Sequence, residues 1–406
     1  MKKFFSIAML MMVVYSSAQE KLFIDPCGFP DTTSLEYRIA ASGNWGYGYD
    51  TLLYDLAEWK KSTFVIVDSI GATVQNRTMF LMTIQDTAQT SIPRKRVWIH
   101  ARTHPGEVQG TWVTNEIIKI LLSNSSIGKK LRDSCVFNIV PMHNPDGVEL
   151  GKARENANNV DIESNWDTTK VYPSQPEVTV LRNTFRGLMA KSNPIRIALN
   201  MHSAYECHKF FWFHAASGTS TLYADIEKQF IDTVVFNFPE WIQPWNSHVS
   251  WVGSASKVYP ESWFWYNHKE KVLALTYEDM NCATAHSFDK TALAIAQGIA
   301  YQLGIFGKTV SFVRNEAVPA EYQLEQNYPN PFNPTTVIEY QLPSQGHVSL
   351  LVYDVLGREV TTLVNEQQSS GKYSVQFNAL SLSSGVYFYR LISGNGIEIK
   401  KMQLIR

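Results

Sequence analysis

His104-Pro105-Gly106-Glu107 is the sole HxxE in the 406 residues. An imidazole nitrogen and a carboxylate oxygen at that spacing suit one Zn²⁺ with bonds of about 2.0 to 2.2 Å. Residues three apart on a first helical turn face the same way, and the motif predicts the opening of a helix that runs to Leu122. A lone HxxE is more often a helix start with a solvated Glu, so the chemistry needs partners. His202, in Ala198-Leu-Asn-Met-His-Ser203, lies just past a predicted strand at 195–199, and Leu273-Ala-Leu-Thr-Tyr-Glu278 brings a carboxylate forward in the same manner. Open α/β sheets keep their sites at the C-terminal ends of buried parallel strands. Two His, one Glu and a separate Glu make up the set of a catalytic zinc hydrolase: three ligands, an open position for water, and a general base.

The elements that would position these residues are legible as apolar runs. Segments 64–67, 79–84, 96–99, 136–140, 195–199 and 272–276 read as buried strands, and helical spacing predicts helices over 52–60 and 108–122. Strands alternating with helices across 46–308 predict an α/β domain with a mixed, mostly parallel sheet flanked by helices. From Gly346 the pattern changes to short alternating strands separated by glycine turns, which predicts a small all-β Ig-like sandwich over 327–406. Residues 309–326 read as a linker.

Thirty-six Lys and Arg balance 37 Asp and Glu, and the net charge is -1. No broad field favours nucleic acid or an anionic membrane. Met1-Lys2-Lys3, an apolar run from Phe4 to Tyr15 broken only by Ser6, and Ser16-Ser17-Ala18 read as a signal peptide over 1–18. Residues 19–45 have no assigned role, and no later segment reads as transmembrane. Export permits disulfides among Cys27, Cys135, Cys207 and Cys282, and Cys207 with Cys282 is the favoured pair, because each lies a few residues past a strand at the same rim.

The tail resembles the C-terminal sorting domain of the bacterial type IX secretion system, on Asn327-Tyr-Pro-Asn-Pro-Phe-Asn-Pro-Thr-Thr336, Val352-Tyr-Asp-Val-Leu-Gly-Arg-Glu-Val360, Ser384-Gly-Val-Tyr-Phe-Tyr-Arg390 and Lys400-Lys-Met402. That resemblance implies transfer across the outer membrane by the type IX machinery, to a secreted or cell-surface location.

Ala101-Arg-Thr-His-Pro-Gly-Glu107, Val140-Pro-Met-His-Asn-Pro-Asp-Gly147, Asn159-Val-Asp-Ile-Glu-Ser-Asn-Trp166 and Thr276-Tyr-Glu278 together resemble the zinc metallocarboxypeptidase family. HPGE and NPDG are nearest the cytosolic-carboxypeptidase branch. The resemblance implies one Zn²⁺ held by His104, Glu107 and His202, with Glu278 as the base for the attacking water. It also implies that Arg154 polarises the scissile carbonyl and that Asp161 receives a hydrogen bond from the first zinc histidine. Such a carboxylate fixes the imidazole's tautomer.

One departure bears on substrate. Where the family reads Asn-Arg to clamp a terminal carboxylate, this chain has Glu163-Ser164. An acid and a hydroxyl in place of a guanidinium fork repel a free carboxylate, so the subsite is expected to prefer a cationic, amidated or neutral group unless another Arg or Lys supplies the clamp. Tyr259 and Tyr266 lie in the region where the family keeps a mobile tyrosine, although the spacing does not align and packing with Trp263 and Trp265 is the favoured reading of both. His100, His143, His208, His214, His248, His268 and His286 show no ligand spacing and read as structural or surface residues, with His143 nearest the site. Together these readings describe an exported hydrolase of peptides or peptide-like substrates. The same ligand set also serves deacylases and enzymes that trim peptidoglycan stems, and a non-catalytic surface binding module is the alternative from another class.

Overall fold

The structure, a computed structural model, describes residues 46–88, 94–167, 174–282, 285–305, 311–314, 321–368, 370–379, 382–394 and 396–405. The expected signal peptide over 1–18, residues 19–45 and Cys27 lie outside the described residues.

Among the described residues, nine strands belong to the α/β part: β1 Val65–Ala72, β2 Thr78–Ile84, β3 Lys95–Ala101, β4 Cys135–Val140, β5 Ile195–Ala204, β6 Phe210–Phe211, β7 Phe213–His214, β8 Val249–Ser250 and β9 Leu273–Met280. Its helices are α1 Tyr49–Trp59, α2 Val108–Leu122, α3 Ser126–Ser134, α4 Pro145–Glu149, α5 Pro176–Met189, α6 Thr221–Asn237, α7 Pro260–His268 and α8 Phe288–Gln302. Seven strands form one sheet in the order β1-β2-β4-β3-β5-β9-β6. The four in the middle, β4, β3, β5 and β9, run parallel, and antiparallel strands close both edges. All six residues of β4 are buried, as expected of a strand with helices on both faces. One apolar layer packs Val113, Ile117, Leu121, Ile295 and Ile299 against Ile99, Leu199 and Leu275. The opposite layer packs Leu181, Phe185 and Phe264 against Trp98, Ala198 and Ala274. Gly110 is required where α2 crosses β5, since a Cβ there would stand 2.8 Å from the Met201 carbonyl oxygen.

Two strands run farther than their apolar runs predict. β5 and β9 continue through His202 and Glu278, which become register partners across the parallel pair. Backbone pairing extends a strand beyond its apolar segment, so neither residue sits in a loop. The HxxE reading also needs correction. Glu107 is the N-cap of α2, with φ -98° and ψ 62°, and its N–H donates to the His104 carbonyl at 3.1 Å. The two side chains are brought together by a turn before the helix and not by its first turn.

The C-terminal part is a sandwich of two four-stranded antiparallel sheets. Alternation is visible in Thr335–Leu342, where every second residue is buried, and the sandwich has its own apolar core around Ile338, Leu350, Val375 and Tyr389. Within the expected linker, Ser311–Arg314 and Gln323–Leu324 are strands that extend one of these sheets. Open sheet edges accept short extended segments, which carry too few residues to register as strands in the sequence.

The expected Cys207–Cys282 bridge is not formed. Cys207 is oxidised in a disulfide, whereas Cys282 is a thiol packed against the core. Cys207 is exposed, so the two side chains leave the neighbouring strands toward different surroundings. Among the described residues no helix is long and apolar enough to cross a membrane.

Candidate metal centre and active site

The turn that follows β3 is held in an unusual backbone state. Arg102 is fully buried with φ 60°, a left-handed conformation that costs energy for a side chain with a Cβ and concentrates at functional sites. Its Nε donates to the Pro105 carbonyl at 2.7 Å, bracing the segment that carries His104. Burial lowers this guanidinium to about 9. The turn after β4 supports the same segment. Asn144 Oδ1 accepts the Gly147 N–H at 3.0 Å, while its Nδ2 donates to the carbonyls of Thr103 and Glu155, each at 3.1 Å. Gly106 N–H donates to the Ala153 carbonyl at 2.9 Å, one residue before Arg154. Gly147 leaves room for this close approach, because a Cβ would stand 2.5 Å from Pro105 Cγ.

On this scaffold His104, Glu107 and His202 converge. Glu107 Oε1 lies 2.7 Å from His104 Nδ1, and Glu107 Oε2 lies 2.7 Å from His202 Nδ1. The two Nδ1 atoms are 3.2 Å apart. Each imidazole turns its other nitrogen to a separate carboxylate. His104 Nε2 lies 3.2 Å from Asp161 Oδ1, and His202 Nε2 lies 3.4 Å from Glu163 Oε2. Glu163 is itself fixed, with Oε1 accepting from Asn200 Nδ2 at 2.9 Å and its N–H donating to Asp161 Oδ1 at 2.9 Å. Two ring nitrogens and a carboxylate aimed at one point, with both far nitrogens facing acids, form a donor set that fits a zinc ion.

The electrostatics follow from this crowding. Burial disfavours the charged form of Glu107, but the positive edges of His202 and His104 outweigh it and hold the carboxyl well below the usual range. Asp161 is likewise brought down to about 2, burial being overcome by the hydrogen bond and charge of His104 and then by Arg154. Glu278 goes the other way. Burial pushes it up to about 7, partly offset by His202 and reinforced by Glu107. Its Oε1 accepts from Trp212 Nε1 at 3.3 Å, and its buried Oε2 has no hydrogen-bond partner among the described residues. Arg154, half exposed, lies 3.2 Å from Asp161 Oδ2 and 3.5 Å from Glu107 Oε1. His104, His202, Glu278, Arg154 and Glu163 share the wall of one cavity of about 310 Å³.

Residues 51–327 match the family model for zinc carboxypeptidases. The chain belongs to the zinc carboxypeptidase family. Residues 326–405 match the secretion system C-terminal sorting domain, which marks this carboxypeptidase-family chain for export by type IX secretion to the cell surface or beyond. Cytosolic carboxypeptidase 3 of Bos taurus is 36% identical over 149 residues, covering 36% of this chain and 15% of the relative. Cytosolic carboxypeptidase 6 of Caenorhabditis elegans is 33% identical over 155 residues, covering 38% of this chain and 33% of the relative. The matched region thus spans a third or less of either relative's length. In fold, the chain resembles a metallo-carboxypeptidase from Burkholderia cenocepacia with a TM-score of 0.53 at 21% identity, covering 64% of this chain and 70% of that one.

The carboxypeptidase cavity includes residues that the sequence pattern did not single out. Glu261 is 4% exposed on the first turn of α7, where an acid ordinarily reads as favouring the helix N-terminus. Burial, followed by the nearby Glu163, raises it to about 7. His214 lines the same cavity, stacked on Trp251 with ring centroids 3.6 Å apart and bonded to the buried Glu227. Both belong to walls assembled from segments distant in sequence, so no local spacing announces them. Tyr259 also lines the cavity, whereas Tyr266 directs its hydroxyl to the Ala255 carbonyl at 2.7 Å. Ser164 is exposed, bonded to the Asp161 carbonyl at 3.3 Å, and does not line the cavity. His143 is buried with Nδ1 3.1 Å from Thr103 Oγ1, next to His104. His208 and His248 meet each other beside Glu206.

Proposed function

We propose that the chain is an exported zinc metallopeptidase that hydrolyses a peptide or similar amide bond in carboxypeptidase fashion, with a subsite that favours a cationic group over an additional carboxylate. The observation that carries this reading is the convergence of His104, Glu107 and His202, with both histidines lining one cavity alongside Glu278, whose Oε2 has no hydrogen-bond partner among the described residues. Zinc bound at the cluster would act as a Lewis acid toward the carbonyl and make a water acidic enough to attack near neutral pH. Glu278 accepts the proton of the attacking water and then passes it to the leaving amine. Arg154, 3.5 Å from Glu107 Oε1 and lining the same cavity, places a cation toward the developing oxyanion. Asp161 and Glu163 hold the two imidazoles in orientation.

The acids decide the subsite. Among the described residues lining the cavity, Arg154 is the one lysine or arginine, against Glu163, Glu261 and Glu278. A buried Glu261 is costly to ionise alone, and a lysine-, arginine- or diamino-type side chain entering the cavity offsets that cost. A purified full chain assayed on matched peptides ending in cationic, neutral and acidic residues, each as free acid and amide, tests this. The expected order is cationic over neutral over acidic. Equal rates on all, or a preference for acidic termini, would overturn the subsite assignment while leaving zinc-dependent hydrolysis intact.

A further inference from the structure

Next to Trp212, which lines the cavity, sits a second cluster of metal-binding side chains, the rim cluster. Glu206 and His208 stand on the turn between β5 and β6, and His248 comes from the segment just before β8. Glu206 Oε2 lies 2.9 Å from His208 Nε2 and 3.3 Å from His248 Nε2, and the three ligand atoms all fall within 4.8 Å of one another. Tetrahedral coordination with bonds of roughly 2.0 to 2.1 Å places ligand atoms about 3.3 Å apart, so the cluster brackets the required spacing. A small rotation of His208, whose side chain is 33% exposed, would close it.

The arrangement is held from outside the cluster. The His248 ring is stacked on Phe210, centroids 3.5 Å apart and planes 16° from parallel, and packs edge-on against Trp212 at 5.5 Å. This fixes the ring and presents Nε2 to Glu206. Cys207, between the other two ligands, is tied into a disulfide, which restricts the turn. Two imidazoles and one carboxylate are a donor set suited to zinc-class divalent cations.

We infer that Glu206, His208 and His248 form a second zinc-class site, distinct from the catalytic cluster, that pins the 205–212 segment against the segment preceding β8. Because Trp212 donates to Glu278, the same metal steadies the wall that bears the general base. The inference does not depend on the chain's being a peptidase.

The test counts zinc. The full chain, stripped with chelator and dialysed against micromolar Zn²⁺, is expected to hold two ions per chain. Glu107→Ala and His208→Ala should each hold one, and the double variant none. In Glu107→Ala, added zinc should still raise the thermal midpoint, and His208→Ala should remove that rise. Glu206→Gln provides an independent ligand variant should His208→Ala lose its fold. A single ion in the wild type, with His208→Ala and Glu206→Gln unchanged, overturns the inference. So does a second ion that appears only at millimolar zinc, which marks adventitious binding.

Discussion

Among the described residues, two clusters each bring two His and one Glu together, and they differ in what surrounds them. In the proposed catalytic cluster the side chains of His104, Glu107 and His202 are 3%, 11% and 2% exposed, and each imidazole has a carboxylate of its own behind it. At the rim, Glu206, His208 and His248 are 40%, 33% and 16% exposed, with Phe210 stacked on His248 and only tilted toward His208 at 5.9 Å. Buried, oriented ligands have little orientational freedom left to lose on binding a cation. Exposed ligands must surrender hydration and rotamer freedom. Donor type therefore sets which metal is suitable, while the groups behind the donors set how tightly it is held.

The contrast can be broken most severely at the catalytic cluster. Glu278→Gln is expected to keep zinc and fold while lowering kcat by about a thousandfold or more, given the proton transfers assigned to it. A variant retaining activity within about tenfold would remove Glu278 from that role. Chelation should abolish hydrolysis, with recovery on adding stoichiometric zinc to the buried cluster and no need to fill the rim.

A sharper test removes the supports and leaves the ligands. Asp161→Asn and Glu163→Gln should each weaken catalytic zinc binding by roughly 10- to 100-fold, as expected when the group orienting a ligating histidine is lost. Competition dialysis against a calibrated chelator measures this. If Glu163 served substrate alone, Glu163→Gln would change KM and leave zinc affinity untouched.

A smaller effect concerns Glu261 and pH. Its carboxyl sits at about 7 in the folded chain against an ordinary 4.5, so it is largely neutral below that value and ionised above it. The preference for a cationic over an isosteric neutral substrate should rise as pH passes upward through about 7 and flatten in Glu261→Gln, read as the ratio of kcat/KM values. By linkage, a raised carboxyl contributes stability that is complete below about 4.5 and lost as pH rises through about 7. Glu261→Gln should therefore flatten that part of the stability profile. The smallest expected change is at the rim, where His208→Ala should lower the thermal midpoint by a few degrees in zinc, in keeping with loss of one moderate ligand-linked stabilisation.

The sequence by itself determined the two-part organisation, the central strands and the helix Val108–Leu122, because continuous apolar runs and helical periodicity are local properties of the chain. The apolar runs leading to His202 and Glu278 were legible for the same reason, HPGE as a local motif, and the sandwich by its glycine turns, whereas the extension of both strands through His202 and Glu278 was not. Tertiary structure alone decided the register that sets His202 opposite Glu278, the pairing of Glu163 with His202, the burial of Glu261 and the meeting of Glu206, His208 and His248. The oxidised state of Cys207, with Cys282 left as a thiol, was decided there too. Each depends on which remote segment lies alongside, and spacing along one chain carries no record of distances through space.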